Sequence, residues 1–353
     1  MRRVTGEPTD DAIAAAFTPM GIDQAIALAS ERYGFAVTHA RRFDTERDDT
    51  FGLTVGPDHY VLKIANPADD IDVIAMQLAA LQHVAVADAG LPVPRVKNDL
   101  EGAASSWVAG ADGEPRLLRV LSFLPGRTLD YDLTTQAQRR AVGGTIGRLS
   151  RALEGFAHPG ASRVLAWDLR RLGTLRPYLV HITDPDARAE VEAELDRYDS
   201  VAGPGLVRVR HQVVHNDANM DNVVVDDHGW VSGILDFGDM VRTAIVADLA
   251  VAMAYAVPSV DALADSAVDP WRPAYDLAEG YVTVRPLTDD EVALLPHLVR
   301  ARMAQRLLVN SLLAASNPGN AHHTLRANGH AVAALRRLVA VAPPNLDQGA
   351  SES

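Results

Sequence analysis

The feature that most constrains this chain is a short ribbon framed by polar residues. Val223-Val224-Val225 and Trp230-Val231-Ser232-Gly233-Ile234-Leu235 are β-favouring runs joined by Asp226-Asp227-His228-Gly229, the pattern of a hairpin. Ahead of it stands His215-Asn216-Asp217-Ala218-Asn219-Met220-Asp221-Asn222, and behind it Asp236-Phe237-Gly238-Asp239. A tight hairpin brings its two ends together. Asn222 and Asp236, 14 positions apart, should therefore fall side by side, with Asp217 on the loop just before. That gathers two carboxylates and an amide oxygen, the donor set a hard Mg²⁺ prefers, and leaves one carboxylate to accept a proton. Asp217 and Asn222 are also turn formers, and Asp236 also fits a helix start. The combined spacing is what favours a site.

The remainder of the chain suggests where this ribbon is housed. At 353 residues, 48% apolar and 22% charged, the sequence belongs with globular proteins and not with disordered ones. It has room for about two domains of roughly 150 residues. Residues 9–33 read as one or two short helices. Short β-favouring runs follow at 37–43, 51–55 and 59–64, the last two separated by the turn Gly56-Pro57-Asp58. A helix over 71–90 stops at Gly90 and Pro92, and 117–123 reads as a further strand. Past Leu124-Pro125-Gly126 the periodicity is helical over 134–156, 185–198 and 244–257. Thr288-Asp289-Asp290-Glu291 is a capping box before a helix running toward Leu313. The expectation is an α+β chain: a small antiparallel-sheet lobe over 1–121, a mostly helical lobe over 122–342, and a tail over 343–353.

Composition removes several function classes. There is no cysteine, which excludes disulfides, thiolate zinc sites, iron–sulfur clusters and cysteine nucleophiles. Lys+Arg 33 against Asp+Glu 46 gives a formal charge of −13, which repels nucleic acid and suits an amine-bearing small molecule. No apolar run reaches the roughly 18 residues of a membrane span. The most apolar tract, 244–257, contains Asp248, and the N-terminus is no signal sequence. A cytoplasmic protein is expected, with no nucleic-acid or membrane partner.

Only two of the 33 basic residues are lysine, Lys63 and Lys97. Lysine is a compact point charge and arginine a planar fork, so a retained lysine suggests a specific task. Lys63 lies inside the apolar strand Tyr60-Val61-Leu62-Lys63-Ile64, although an edge strand can also carry a lysine to block aggregation. The segment Asp44–Phe51 joins two strands. Its small polar residues could aim backbone N–H groups at phosphates, or form a solvated turn.

The spacing of His215, Asp217 and Asn222, followed by Asp236-Phe237-Gly238, resembles the catalytic loop and metal-binding tripeptide of kinases, and Lys63 resembles their strand lysine. More specifically, the chain resembles the aminoglycoside phosphotransferase and choline kinase superfamily. There the loop reads His-Gly-Asp-x-x-x-x-Asn, and a Glu-Arg-Asp-x-x-Phe turn, matched by Arg47, Asp48 and Phe51, replaces the glycine-rich loop. It is most similar to hydroxylysine kinase-like members, which share Asp236-Phe237-Gly238-Asp239-Met240, the run from Arg302-Met303 to Ser311, and Asn317-Pro318-Gly319-Asn320. The resemblance covers roughly residues 36–340.

It implies a protein-kinase-like bilobal fold with an N-terminal nucleotide-binding lobe and a helical catalytic and acceptor-binding lobe, using ATP and Mg²⁺. Asp217 would be the catalytic base, and Asn222 and Asp236 the metal ligands. Lys63, Arg47, Asp48 and Thr50 would hold the nucleotide phosphates, and Ser122 and Leu124 would line the adenine pocket in the hinge 121–124. His215, Gln77 and Asp248 would support the site. Two residues depart from the pattern. Asn216 stands where the family has glycine, which is tolerable because Asn visits positive φ readily. Gln77 stands where a Glu should orient Lys63, leaving that lysine to a hydrogen bond or to Asp70 or Asp72.

The acceptor should carry a hydroxyl. Asp221 and Asp239 would suit an amine on it. Arg300, Arg302 and Arg306 could bind a carboxylate or face solvent, and His322 and His323 read as plain surface. The expected activity is an ATP- and Mg²⁺-dependent kinase of an amino alcohol or hydroxylated amino acid. The alternatives are an aminoglycoside phosphotransferase, a metal-dependent hydrolase built on His211, His215, Asp217, Asp221 and Asp236, and a nucleotide-binding pseudokinase.

Overall fold

A computed structural model describes residues 18–45 and 48–346. The part of the expected helical stretch 9–33 that precedes residue 18, Arg47, and the tail beyond 346 lie outside the described residues. The chain divides into two compact units between Pro125 and Gly126.

The first unit is an antiparallel sheet with two helices. α1 (Ile22–Tyr33) ends at Gly34, whose φ of 67 suits glycine. It leads into β1 (Val37–Phe43), β2 (Asp49–Val55) and β3 (Asp58–Ile64), with Gly56 at φ 57 in the expected tight turn. α2 (Ile71–Ala87) follows, then β4 (Val96–Lys97), β5 (Ser106–Ala109) and β6 (Pro115–Ser122). The sheet order is β1-β2-β3-β6-β4, with β5 also on β6. β4 and β5 escape sequence reading because two to four residues carry too little alternation. Residues two apart share a face, so Phe51, Leu53, Leu62, Ile64, Leu118 and Val120 form one core with Ala25, Ala29 and Tyr33 of α1. At its end is a buried ion pair. Arg116 donates to Asp49 Oδ2 (2.6 Å) and to the carbonyls of Ala65 (2.7 Å) and Ile64 (3.0 Å), which satisfies a charge that burial would otherwise make costly. The register also sets Thr50 opposite Lys63 and Lys63 opposite Arg119, so these three polar side chains form one cross-strand row.

The second unit is mostly helical. It begins with β7 (Arg127–Thr128), α3 (Gln136–Ala152), a 3₁₀ stretch over Leu169–His181, α4 (Pro185–Arg197) and α5 (Gly203–Arg208). β8 (His211–Val214), β9 (Val223–Val225), β10 (Val231–Ile234) and β11 (Val241–Ala244) come next. α6 (Ile245–Tyr255), α7 (Val260–Ala264), α8 (Arg272–Val282), α9 (Asp289–Ser316), α10 (Ala321–Leu325) and α11 (Asn328–Ala340) complete it. The hairpin β9–β10 forms as its sequence predicts, and β7 adds to its edge. Sequence reading missed a second ribbon, β8 against β11 with Val214 opposite Val241. The capping box Thr288/Glu291 starts α9 as expected, and the 28-residue helix continues through Pro296.

Helices α3 and α8 meet through glycines. A Cβ on Gly143 would lie 1.8 Å from the Leu277 carbonyl oxygen, and one on Gly280 would lie 1.9 Å from the Arg140 carbonyl oxygen. Backbone therefore packs on backbone, and no side chain fits. Gly144, next along α3, has only Gly280 O at 3.7 Å. Gly143→Ala should therefore destabilise the protein by about 1–3 kcal/mol or more, as overpacking does. Gly144→Ala should be neutral or stabilising by up to about 1 kcal/mol through helix propensity. Urea midpoints of the two variants check this, and equal midpoints would contradict the tight seam.

Candidate active site

The site in the second unit is built from two loops clamped at both ends. β8 runs into residues 215–222, which run into β9. β10 runs into residues 235–240, which run into β11. Because β8 pairs with β11 and β9 with β10, both loops are pinned beside each other. The Leu235 N–H donates to Asn222 O at 2.7 Å, which places Asn222 and Asp236 at the adjoining hairpin ends.

His215 is fully buried and joins the loops. Its Nδ1 accepts the Asp217 N–H (3.2 Å) and its Nε2 lies 2.9 Å from Leu235 O, an assignment that puts the ring proton on Nε2. Phe237 packs edge-on against the same ring at 4.9 Å between centroids. Asn216 has φ 66, the left-handed conformation that its amide side chain permits in place of glycine. Its N–H donates to the buried Asp248 Oδ1 at 2.7 Å, so Asp248, in the first turn of α6, braces the loop just before Asp217. Burial raises the Asp248 pKa.

The Asp217 carboxylate is held by two amides. Asn219 Nδ2 donates to Oδ1 (2.9 Å) and Asn222 Nδ2 to Oδ2 (2.6 Å). With its nitrogen engaged there and on Asp217 O (3.0 Å), Asn222 has its Oδ1 left as an acceptor. Asp236 has φ 52 and an exposed side chain, and its Oδ1 accepts the Gly238 N–H at 2.9 Å. A Cβ on Gly238 would lie 2.8 Å from that oxygen, so a side chain there would push the Asp236 carboxylate out of this position. An exposed carboxylate and an amide oxygen on adjoining loop ends fit a Mg²⁺ that also takes waters and phosphate oxygens. Burial pushes the Asp217 carboxyl well above the usual carboxylate range. Asp239, and less strongly Asp236, push the same way, while Arg302 and the Asn219 hydrogen bond oppose them.

The residues expected to take the acceptor lie apart from one another in burial. Asp221 is exposed, and Asn219 Oδ1 caps its N–H. Asp239 is half-buried 3.6 Å from Arg163, which also donates to Gly238 O (2.8 Å) and so ties down the second loop. Arg302 is buried on α9, with Nη2 3.8 Å from Asp217 Oδ1, and Arg306 is buried too. Of the two readings open for these residues, the solvent-facing one is corrected for Arg302 and Arg306, which are carried on the buried part of α9. Arg300 pairs with Glu194, and His322 is exposed.

In the first unit, Lys63 Nζ lies 3.7 Å from Asp48 Oδ2, and Arg119 donates to the same oxygen at 2.7 Å. The expected partners of Lys63 are therefore corrected. Asp70 instead caps α2 by accepting the Asp72 N–H, and Gln77 makes no hydrogen bond to Lys63 among the described residues. Asp48 supplies the carboxylate from the bend just before β2, two positions ahead of Thr50, which pairs opposite Lys63. Arg119 went unread, although an arginine inside an apolar strand is the same signal as Lys63. Thr50 is buried with its hydroxyl 3.2 Å from that of Thr45, and Ser122 Oγ accepts the Arg95 N–H at 2.9 Å. Leu124 is half-buried.

The histidines of a hydrolase site do not converge. His215 has both ring nitrogens on backbone, and His211 Nδ1 lies 2.8 Å from Val209 O. Among the described residues no three His, Asp or Glu are grouped to hold a metal without other ligands.

Residues 39–287 match the family described as "Phosphotransferase enzyme family". The chain is 27% identical over 327 residues to hydroxylysine kinase of Mus musculus, covering 86% of this chain and 85% of that protein. It is 29% identical over 270 residues to homoserine kinase of Gluconobacter oxydans, covering 74% and 77%. Among solved structures, amicoumacin kinase in complex with AMP-PNP, Ca²⁺ and Ami superposes with a TM-score of 0.63 at 16% identity, over 87% of this chain and 92% of that one. The expected α+β, protein-kinase-like fold is thus the fold of this chain. No helix among the described residues is long and apolar enough to cross a membrane.

The conformation of Asn216 is directly testable. Asn216→Gly should unfold within about 1 kcal/mol of the parent, because glycine adopts this φ freely. Asn216→Val should lose about 1–2 kcal/mol or more, since a branched Cβ clashes in the left-handed region. Chemical denaturation measures both, and a stable Val variant would contradict the observed φ.

Proposed function

The chain belongs to the phosphotransferase enzyme family and is a kinase that phosphorylates a hydroxyl of a small molecule, and we propose that it uses ATP and Mg²⁺ to phosphorylate a hydroxylated amino acid or a related amino alcohol. The observation that carries this reading is the gathering of Asp217, Asn222 and Asp236 on two loops tied by His215. Relatives named for hydroxylysine and homoserine, both hydroxylated amino acids, support the acceptor class. The nucleotide analogue in the amicoumacin kinase complex supports ATP. The two departures that favoured a pseudokinase are compensated: Asn216 adopts the conformation glycine would, and Asp48 stands in for the missing helix Glu.

The reaction requires alignment more than covalent help. Asn219 and Asn222 fix the Asp217 carboxylate, which takes the proton of the acceptor hydroxyl. The acceptor oxygen forms a bond to the γ-phosphorus. The bond from that phosphorus to the β–γ bridging oxygen breaks, and its electron pair leaves with ADP. Asn222 Oδ1 and the Asp236 carboxylate would hold Mg²⁺, which when bound neutralises phosphate charge. Lys63, oriented by Asp48, is the phosphate-binding cation of the first unit. A charge-consumption logic also governs pH: Asp217 works only when ionised, and its neighbours make ionisation harder.

A screen of Mg²⁺/ATP consumption over hydroxylysine, homoserine, ethanolamine, choline and aminoglycosides tests the acceptor class. Preference for an aminoglycoside would overturn it. With the best acceptor, Asp217→Ala should lower kcat by about 10²–10⁴-fold. The acid limb of kcat/KM should lie above about pH 4, the ordinary carboxylate value. Removing the negative charge in Asp239→Asn should ease ionisation of Asp217 and move that limb to lower pH. An unmoved or upward-moved limb would count against Asp217 as the titrating base.

A further inference from the structure

Helix α9 carries two buried arginines one turn apart, Arg302 and Arg306, 1% and 6% exposed. Arg302 is engaged. Its Nη1 donates to Trp167 O and to Gln305 Oε1, both at 2.9 Å, its Nη2 reaches toward Asp217, and its guanidinium lies over the Trp167 ring at 4.7 Å. Arg306 is surrounded by neutral groups. Its guanidinium lies over the Tyr255 ring at 4.6 Å, and its Nη1 is 3.6 Å from Met303 Sδ and 3.4 Å from His330 Nδ1. The other nitrogen of His330 faces the carbonyl oxygens of Pro258 (3.0 Å) and Val257 (3.3 Å), so the ring is a neutral acceptor toward Arg306. Among the described residues no carboxylate pairs with Arg306. Burial and the like charge of Arg302 both disfavour its cation.

A buried guanidinium is normally paired with an anion, because desolvating it alone is costly. A ring face and a histidine offset only part of that. Among the described residues nothing supplies that anion, and the planar fork fits a carboxylate in two-point contact. Position supports the same reading. Arg302 reaches Asp217, and Arg306 is one turn further along the same helix, about 6 Å at roughly 1.5 Å per residue.

We propose that Arg306 is the carboxylate-binding residue of the acceptor site, so that the acceptor is a hydroxylated amino acid with a free carboxylate, and that an amino alcohol lacking it is a poor substrate. This rests on the assignment of Asp217 as the group that receives the acceptor hydroxyl. Arg302, one turn before Arg306 on α9, reaches Asp217 and holds the indole and carbonyl of Trp167.

The test compares kcat/KM of the full-length enzyme, with Mg²⁺ and ATP, for hydroxylysine or homoserine (whichever turns over faster) and for its carboxamide. The carboxamide keeps the hydroxyl and the amine and removes only the negative charge. The wild type should favour the acid by about tenfold to a hundredfold, mostly in KM, as loss of a charge-assisted pair implies. In Arg306→Gln that ratio should fall toward one. Arg306→Lys keeps a charge but not the fork and guards against misfolding of the Gln variant; its ratio should fall between the two. A wild-type ratio near one, or an undiminished ratio in both variants, would overturn the carboxylate site. Phosphorylation of carboxylate-free acceptors with no preference for the acid would do so while leaving the kinase reading intact. Absence of transfer to any acceptor would remove that reading and this inference together.

Discussion

The buried imidazole of His215 is the contact on which the rest of the site depends. It accepts from the amide of Asp217 on one loop and bonds the carbonyl of Leu235 on the other, with Phe237 against its edge. Two ribbons of three to four residues a strand clamp the outer ends of these loops, but ribbons this short set only where the chain enters and leaves. The imidazole fixes the separation in the middle, where Asp217 and Asp236 project. A lysine or glutamine there could reach one partner well, but only a planar ring with a donor and an acceptor on opposite sides meets both at fixed distance.

Electrostatics explains why so much bracing is needed. Asp217, Asp236 and Asp239 place three carboxylates on neighbouring loops, and the first is raised by burial and by the other two. Like charges this close favour a loop that swings apart. Arg163 on Asp239 and Gly238 O, Arg302 near Asp217, and the amides of Asn219 and Asn222 hold the loops against that tendency. Strain is located in the same place. Among the described residues the two non-glycine positions with positive φ are Asn216 and Asp236, one beside the proposed base and one a proposed metal ligand. Each is fixed by a local bond, Asn216 N–H on Asp248 and Asp236 Oδ1 on the Gly238 N–H.

How much of this was legible in the sequence follows the range of the interactions. The hairpin β9–β10 and the proximity of Asn222 and Asp236 were readable because turn chemistry is local. So was the glycine-like conformation of Asn216, which the residue type permits. The ribbon β8–β11 was not, since it joins segments about 30 residues apart with four residues each. The burial of Arg302 and Arg306 was equally hidden. On α9 both the apolar and the polar residues of this stretch are buried, so no polar face marks solvent. The glycine seam of Gly143 and Gly280 depends on two helices meeting, which no single periodicity announces.

The pairing of Lys63 shows what such a long-range substitution can change. In protein kinases the phosphate-binding strand lysine, the role proposed for Lys63, is oriented by a helix glutamate, so moving that helix makes or breaks the site. Here the helix position is Gln77, and the carboxylate comes from Asp48, shared with Arg119 across the neighbouring strands. Every member of this triad belongs to the sheet or its connecting turn, where register fixes side chains to within a residue. The orientation of Lys63 is then set by strand pairing and by the bend that carries Asp48. A displacement of α2 that would disarm a helix-anchored lysine leaves this pairing in place.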